Sequence, residues 1–172
     1  LRQYLRRMLP EDMFQTIEPG LTSFGERVVT DIAEMAQNAT DQEPTLTQFD
    51  PWGRRIDQID VAPGWQSLKR VSAEEGLVAI GYERNDGAFS RTHQFTKLYL
   101  FNPSSALYTC PLAMSDGAAR LLELCASPQL KERAFRRLTS RDPDLFWTSG
   151  QWMTERSGGS DVSGTETVAT PD

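Results

Sequence analysis

The sequence predicts an α+β fold, with an all-helical region first and the start of a β region last. Two observations carry this. Apolar residues recur every three or four positions in most segments from Leu21 to Leu138. After the turn at Arg141-Asp142-Pro143-Asp144 that period gives way to an aromatic, strand-like entry from Leu145 to Met153, which runs into a Ser/Gly loop. Helices do not alternate with strands, and no internal repeat or heptad array is present.

Taken in order, Leu1, Tyr4, Leu5, Met8 and Leu9 would line one face of a short helix ended by Pro10. Pro19-Gly20 is expected to break the chain again, so residues 1–20 read as an arm or short helix. Leu21, Phe24, Val28, Ile32 and Met35 then fall at helical spacing, and Ser23 with Glu26 is spaced as a capping box. One amphipathic helix over residues 23–39 follows from that pattern. Polar content rises from Asn38 to Asp50 and Pro44 interrupts, which reads as a loop. Asp50-Pro51-Trp52-Gly53 is turn chemistry leading to an extended segment with Ile56, Ile59 and Val61; Trp52 is expected to pack, with Arg54 and Arg55 pairing with Asp50, Asp57 or Asp60. From Gly64, a helix carries Trp65, Leu68 and Val71, with Leu77, Val78 and Ile80 at its less regular end.

Glu83-Arg84-Asn85-Asp86-Gly87 is a polar turn, after which Ser90 is expected to cap a helix reaching Asn102-Pro103. His93 lies on it, the one imidazole in the chain, and without a nearby Ser or Cys nucleophile it reads as a packing or surface residue. Met114, Ala118, Leu121, Leu122 and Cys125 mark the next helix, starting near Ser115 or Asp116. Ser127-Pro128 opens another, with Leu130, Ala134 and Leu138 along one side. Thr165 to Thr170 reads as a second strand of a sheet.

The 172 residues are enough for a domain burying roughly 70% of its unfolded surface. No run approaches the roughly 18–20 apolar residues of a membrane span. A net charge of −6 disfavours nonspecific nucleic-acid binding by this piece. The basic groups at Arg2, Arg6, Arg7, Lys131, Arg133, Arg136 and Arg137 read as solvated helix faces. Cys110 and Cys125 show no metal-ligand spacing, so no zinc site is expected and both read as reduced, buried thiols of an intracellular protein; cytoplasm, mitochondrion and peroxisome are all compatible.

Gln151-Trp152-Met153-Thr154-Glu155-Arg156-Ser157-Gly158-Gly159-Ser160-Asp161-Val162 is the most specific stretch. Adjacent glycines permit unusual backbone angles and let an anion approach the amides, and the flanking serines add hydroxyl donors. On residues alone, a surface turn comes first and a phosphate cradle second. The pattern Met153-Thr154-Glu155 followed by Gly159-Ser160-Asp161 resembles the flavin-contact signature of the acyl-CoA dehydrogenase superfamily. Its Gly-Gly form, Arg156 where many members carry Pro, and the upstream Gly53-Arg54-Arg55-Ile56-Asp57, Pro63-Gly64-Trp65 and Cys110-Pro111-Leu112-Ala113-Met114 are similar to the alkylation-response (AidB-like) branch.

The resemblance implies an arm over residues 1–20, a helical N-terminal domain over 21–144, and the start of a middle β domain over 145–172. It implies FAD as cofactor, contacted by Gln151, Trp152, Met153, Thr154, Gly158, Gly159 and Ser160, with Ser160 also reaching the thioester, and an acyl-CoA substrate. The α-proton base would be a glutamate in a C-terminal bundle, so no catalytic residue and no metal ligand is expected here, and Glu155 would be structural. The end at Pro171-Asp172, just past the motif, reads as that of an N-terminal portion, inactive alone. A homo-oligomer, dimeric or tetrameric, and an electron-transfer partner are further implications. A non-catalytic acyl- or flavin-binding module and a flavoprotein protecting nucleic acid are the alternatives.

Overall fold

A computed structural model describes residues 1–170. Helices α1 (Arg2–Met8), α2 (Glu11–Val28) and α3 (Asp31–Asp41) lead into an antiparallel hairpin of β1 (Thr45–Phe49) and β2 (Arg55–Asp60). Then come α4 (Pro63–Glu74), α5 (Ile80–Glu83), α6 (Ser90–Phe101) and α7 (Thr109–Cys125). A last helical stretch comprises α8 (Pro128–Leu130), a π turn over Lys131–Phe135, and α9 (Arg136–Leu138). The predicted α+β class holds, with helix dominant and one two-stranded sheet. No helix among the described residues is long and apolar enough to cross a membrane.

The core gathers Phe24, Val28, Ile32, Leu68, Leu77, Phe101, Leu112 and Phe146 from α2, α3, α4, the link between α4 and α5, α6, α7 and the segment after α9. A second cluster, Leu5, Leu9, Phe14, Ile17 and Leu21, joins α1 to the first half of α2. It explains why Pro19-Gly20 does not break the chain as expected. A mid-helix proline costs roughly 3 kcal/mol. Burying each of Phe14, Ile17, Leu21 and Phe24 returns roughly 1.5–3 kcal/mol, so α2 runs through Pro19. The expected single helix over 23–39 is in fact two, parted at Val29-Thr30, and Ser23 and Glu26 lie inside α2, where no cap is required.

Arg27 spans that joint, donating to Asp31 Oδ2 at 2.9 Å and to Glu75 Oε1 at 2.8 Å. Lys97 reaches the same Glu75 from α6, with Nζ 2.6 Å from Oε2 and 2.8 Å from the Glu75 carbonyl oxygen, and it stands over the Phe24 ring at 4.8 Å. Only 9% of the Lys97 side chain is exposed, and burial lowers its pKa from the ordinary lysine value despite Glu75. Below that lysine, Gly76 turns the chain with φ +64; Arg141 lies against it, and a β-carbon there would sit 2.5 Å from the guanidinium carbon. Arg141 grips Glu83 through two bonds of 2.6 and 2.8 Å, which holds that carboxyl below its usual range. Where α3 meets α4, a β-carbon on Gly64 would stand 2.2 Å from the Met35 carbonyl oxygen, and the Gly64 amide donates to Asn38 Oδ1 at 2.7 Å.

Several local expectations are corrected. The Asn38–Asp50 loop contains β1, paired Leu46↔Ile59 and Thr47↔Gln58 with an irregularity before Phe49↔Arg55. Trp52 does not pack; it is 88% exposed at the hairpin turn. Its neighbours do pair, Arg54 with Asp50 and Arg55 with Asp57. Helix α7 begins at Thr109, several residues early, because Pro111 fits a first turn whose amides need no partner. Ser90 is the first residue of α6; its hydroxyl donates to the Gly87 carbonyl rather than capping the helix. Cys110 and Cys125 are exposed, not buried.

No strand forms over Leu145–Met153 or Thr165–Thr170. A strand requires a neighbour for its amides, and these amides have other partners. Trp147 donates to the Arg137 carbonyl at 3.1 Å and Ser149 to Ser115 Oγ at 2.9 Å, while Glu166 and Thr167 donate to Glu155.

Three outcomes are expected. Gly64→Ala forces α3 and α4 apart and should destabilise the fold by about 1–3 kcal/mol, read as a lower thermal midpoint. Glu75→Gln leaves Lys97 buried without its counter-charge and should cost roughly 3 kcal/mol in urea denaturation. Lys97→Met should cost less than half as much, because Arg27 still neutralises Glu75.

Candidate functional site

An open groove of about 1020 Å³ runs between α2, α6 and α7. Gly25, Val28 and Val29 form one wall, Phe95, Leu98 and Tyr99 the other, and Leu112, Ala113 and Gly117 of α7 the floor. Phe95, Tyr99 and Val29 are exposed apolar side chains along its rim. The sequence explains this face. Residues 95, 98 and 99 of α6, and 112, 113, 116 and 117 of α7, fall on one side of each helix by three-four spacing. From Thr109 to Arg120 the floor extends about 16 Å at 1.5 Å per residue.

Charge enters this apolar groove at Arg91 and Asp116 and, at the end of the floor, at Arg120, which pairs with Glu123. Asp116 accepts from Arg91 Nη1 at 2.8 Å to each oxygen and from the Tyr82 hydroxyl at 2.6 Å. Gln94, fully buried, accepts from Arg91 at 2.7 Å and donates to the Leu77 carbonyl at 2.9 Å. Arg91 also lies over the Tyr82 ring at 4.5 Å. Burial, and then the bond to Asp116, push the Tyr82 hydroxyl up to about 12, so it remains a donor throughout the physiological range. The cluster is satisfied internally and holds α5, α6 and α7 in register beneath the groove. Sequence reasoning missed it, since Arg91 and Asp116 are 25 positions apart and each alone looks like a solvated charge.

The Gln151–Ser160 stretch emerges beside the floor of the groove. The Gln151 amide points to Met114 Sδ at 3.2 Å, and Gln151 Nε2 is 3.9 Å from where a β-carbon on Gly117 would sit. Beyond it Trp152 is 96% exposed, and Met153, Thr154, Gly158, Gly159 and Ser160 are also exposed. The structure thus places Gln151 at the groove and leaves the other six expected contacts on an open surface. Neither Gly158 nor Gly159 has a positive φ, which corrects the expectation of unusual backbone angles. What they provide is room, since a β-carbon on Gly159 would meet nothing within 4 Å.

Glu155 closes the loop from the inside. Its two oxygens each accept one backbone amide, from Thr167 and Glu166, at 2.9 Å; the Thr167 side chain first, and then these amides, hold its pKa below the ordinary glutamate value. The Gly158 amide returns to the Glu155 carbonyl at 3.1 Å, and Asp161 takes the Ser163 amide at 3.0 Å. The amides of Gly159 and Ser160 have no acceptor among the described residues. Free amides beside hydroxyls fit an anionic group such as a pyrophosphate, but the cavity within the loop is only about 10 Å³, so such a group would lie on it rather than in it. His93 is elsewhere, with Nδ1 2.8 Å from Asp86 Oδ2 in a smaller cleft between α2 and α6, consistent with packing rather than catalysis.

Known proteins share this architecture. The family described as "Adaptive response protein AidB N-terminal domain" matches residues 1–145. Acyl-CoA dehydrogenase family member 11 of Caenorhabditis elegans is 44% identical over 168 residues, which is 95% of this chain and 27% of that protein. Its crystal structure in complex with C11-CoA superposes with a TM-score of 0.89, covering 95% of this chain and 28% of that one. The apo form of Bd2924 is 53% identical with a TM-score of 0.90, covering 98% of this chain and 34% of that one. The putative acyl-CoA dehydrogenase AidB of Escherichia coli K12 is 25% identical over 158 residues, 87% of this chain and 29% of that protein. The chain spans about a third or less of each of these relatives. With a family match over 145 residues and close structural agreement across the helices that frame the groove, the chain belongs to the AidB N-terminal domain family of the acyl-CoA dehydrogenase superfamily.

Proposed function

We propose that this chain supplies the acyl-binding groove and one wall of the flavin site of an FAD-dependent acyl-CoA dehydrogenase. The observation that carries this reading is adjacency. Gln151, first residue of the flavin-like stretch, reaches α7 beside Met114 and Gly117, where an apolar groove opens. A relative bound to C11-CoA supports an acyl thioester as the occupant.

FAD, when bound, would accept hydride from the β-carbon of the acyl thioester as the α-carbon loses a proton. The roles of this chain's residues are binding and orientation. Gly159 and Ser160 offer amides that have no acceptor among the described residues, and Thr154 and Ser160 offer hydroxyls, so anionic charge is met by donors already in place. Val28, Phe95 and Leu112 exclude water from the alkyl tail. The proton-accepting base is proposed to lie outside these residues. Asp116 is held by Arg91 and Tyr82, Glu155 by two amides, and Glu123 by Arg84 and Arg120, which leaves no free carboxylate at the groove among the described residues. The chain alone is therefore expected neither to oxidise acyl-CoA nor to retain FAD tightly.

Two substitutions in the protein at its natural length test this reading. The β-carbon of Gly159→Val would meet nothing within 4 Å among the described residues, so its melting curve should match wild type while flavin absorbance is lost on gel filtration. Retained flavin would count against the assignment. Glu155→Gln can accept only one of the two amides, so flavin retention should weaken while the pH profile of turnover in flavin-saturated protein stays unchanged. A displaced profile would make Glu155 a proton-transfer group instead.

A further inference from the structure

Two glycines in the groove have no explanation within the chain. Gly25 lies inside α2 and Gly117 inside α7, positions where glycine is disfavoured relative to alanine because its backbone loses more freedom on folding. Neither has a positive φ, so neither backbone requires glycine. Packing does not require it either: a β-carbon at Gly25 would meet nothing within 4 Å, and one at Gly117 only Gln151 Nε2 at 3.9 Å. Gly64, by contrast, is required by a carbonyl oxygen 2.2 Å away. Gly25 and Gly117 line the same groove, Gly25 in its α2 wall and Gly117 in its floor, whereas Gly20, equally without close neighbours inside α2, lies in the smaller cleft beside His93.

We propose that Gly25 and Gly117 determine acyl chain length, by keeping the middle of the groove open so that an extended alkyl chain passes between α2 and α7. This rests on the acyl-CoA reading above and adds a direction to it. The reacting end of the thioester must lie near the flavin stretch, which meets α7 at Gly117 through Gln151. The tail then runs along α7 toward its N-terminal end, where the turn Asn102–Ser104 and Thr109 complete the lining. Thr109 donates to Asn102 Oδ1 at 2.8 Å there, which ties the turn to the helix and gives the groove a fixed polar stop. A side chain at residue 25 or 117 would take up space in the groove, and its β-carbon would meet at most Gln151 Nε2, at ordinary contact distance, among the described residues.

The test is calorimetric binding of butanoyl-, octanoyl- and dodecanoyl-CoA to the flavin-loaded protein at its natural length, in wild type, Gly25→Leu and Gly117→Leu. Wild-type affinity should rise about fourfold per methylene until the groove is filled. In either variant the dodecanoyl-to-butanoyl affinity ratio should fall by roughly tenfold or more. Gly25→Ala and Gly117→Ala guard against misfolding: each should raise the thermal midpoint and still lower that ratio. A wild type that binds with chain-length dependence, beside variants with an unchanged ratio, overturns the role of the glycines alone. A wild type with no dependence on chain length overturns the acyl-CoA reading beneath it. Variants that keep the ratio but change the oligomeric state would assign the groove to a protein surface, and that too overturns the proposal.

Discussion

The carboxylate of Glu75, at the end of α4, is the point on which the helical assembly depends. It receives Lys97 from α6 and Arg27 from α2, and Arg27 also holds Asp31 at the start of α3. One anion thus fixes three helices about a fourth. A buried ammonium is tolerated only because the attraction and hydrogen bonding of a close carboxylate offset its desolvation. Burial still outweighs the partner in setting the Lys97 pKa direction, so the pair specifies an arrangement more than it adds stability. Arg141 extends the same logic around Gly76 to Glu83, locking the turn before Phe146 against the far side of α4 and α5.

That scaffold separates two surfaces of different chemistry. Between α2, α6 and α7 the exposed groups are apolar, and the nearby charge of Arg91 and Asp116 is neutralised by its neighbours. Around Gly159 and Ser160 exposed amides and hydroxyls stand beside the exposed apolar side chains of Met153 and Val162. An amphipathic ligand with a long alkyl part and an anionic part matches such a division better than a uniformly polar one. Gln151 and Met114 mark where the two meet.

The sequence made the apolar phase of α4 and of the second half of α2 legible, since burial selects residues at three-four spacing: Leu21, Phe24 and Val28 are buried on α2, and Leu68 and Val71 on α4, whereas on α6 Phe95 and Tyr99 are exposed and Gln94, Thr96 and Lys97 are buried. Boundaries were less legible. Pro19 signals a stop locally, but tertiary burial on both sides outweighs it, and nothing in the local pattern distinguishes that case. Of the hairpin, β2 was legible as the extended run through Ile56 and Ile59, whereas β1 escaped notice because all its residues are exposed, so no inside-outside alternation marks it. The strand-like Trp147-to-Met153 composition reflected apolar content without a partner for its amides. At the site, the Gln151–Ser160 motif was visible as a run of residue types, whereas the groove is assembled from segments nearly a hundred positions apart, such as Gly25 and Gly117. Contacts of that separation carry no local periodic trace.

The satellite cluster of Leu5, Leu9, Phe14, Ile17 and Leu21 has a consequence for how the molecule opens. It shares helix α2 with the main core but few of the core's side chains, and Pro19 interrupts the hydrogen-bond ladder between the two halves, since it offers no amide to Gln15. A ladder with a missing rung transmits less cooperativity across it. The N-terminal unit therefore has a seam at which it can detach as a sub-global opening, exchanging its amides with solvent while Phe24 and Val28 stay seated. Because Gly25 and Val28 lie on the seated side, such openings spare the α2 wall of the groove and reach its lining only through Leu100, which packs against both clusters.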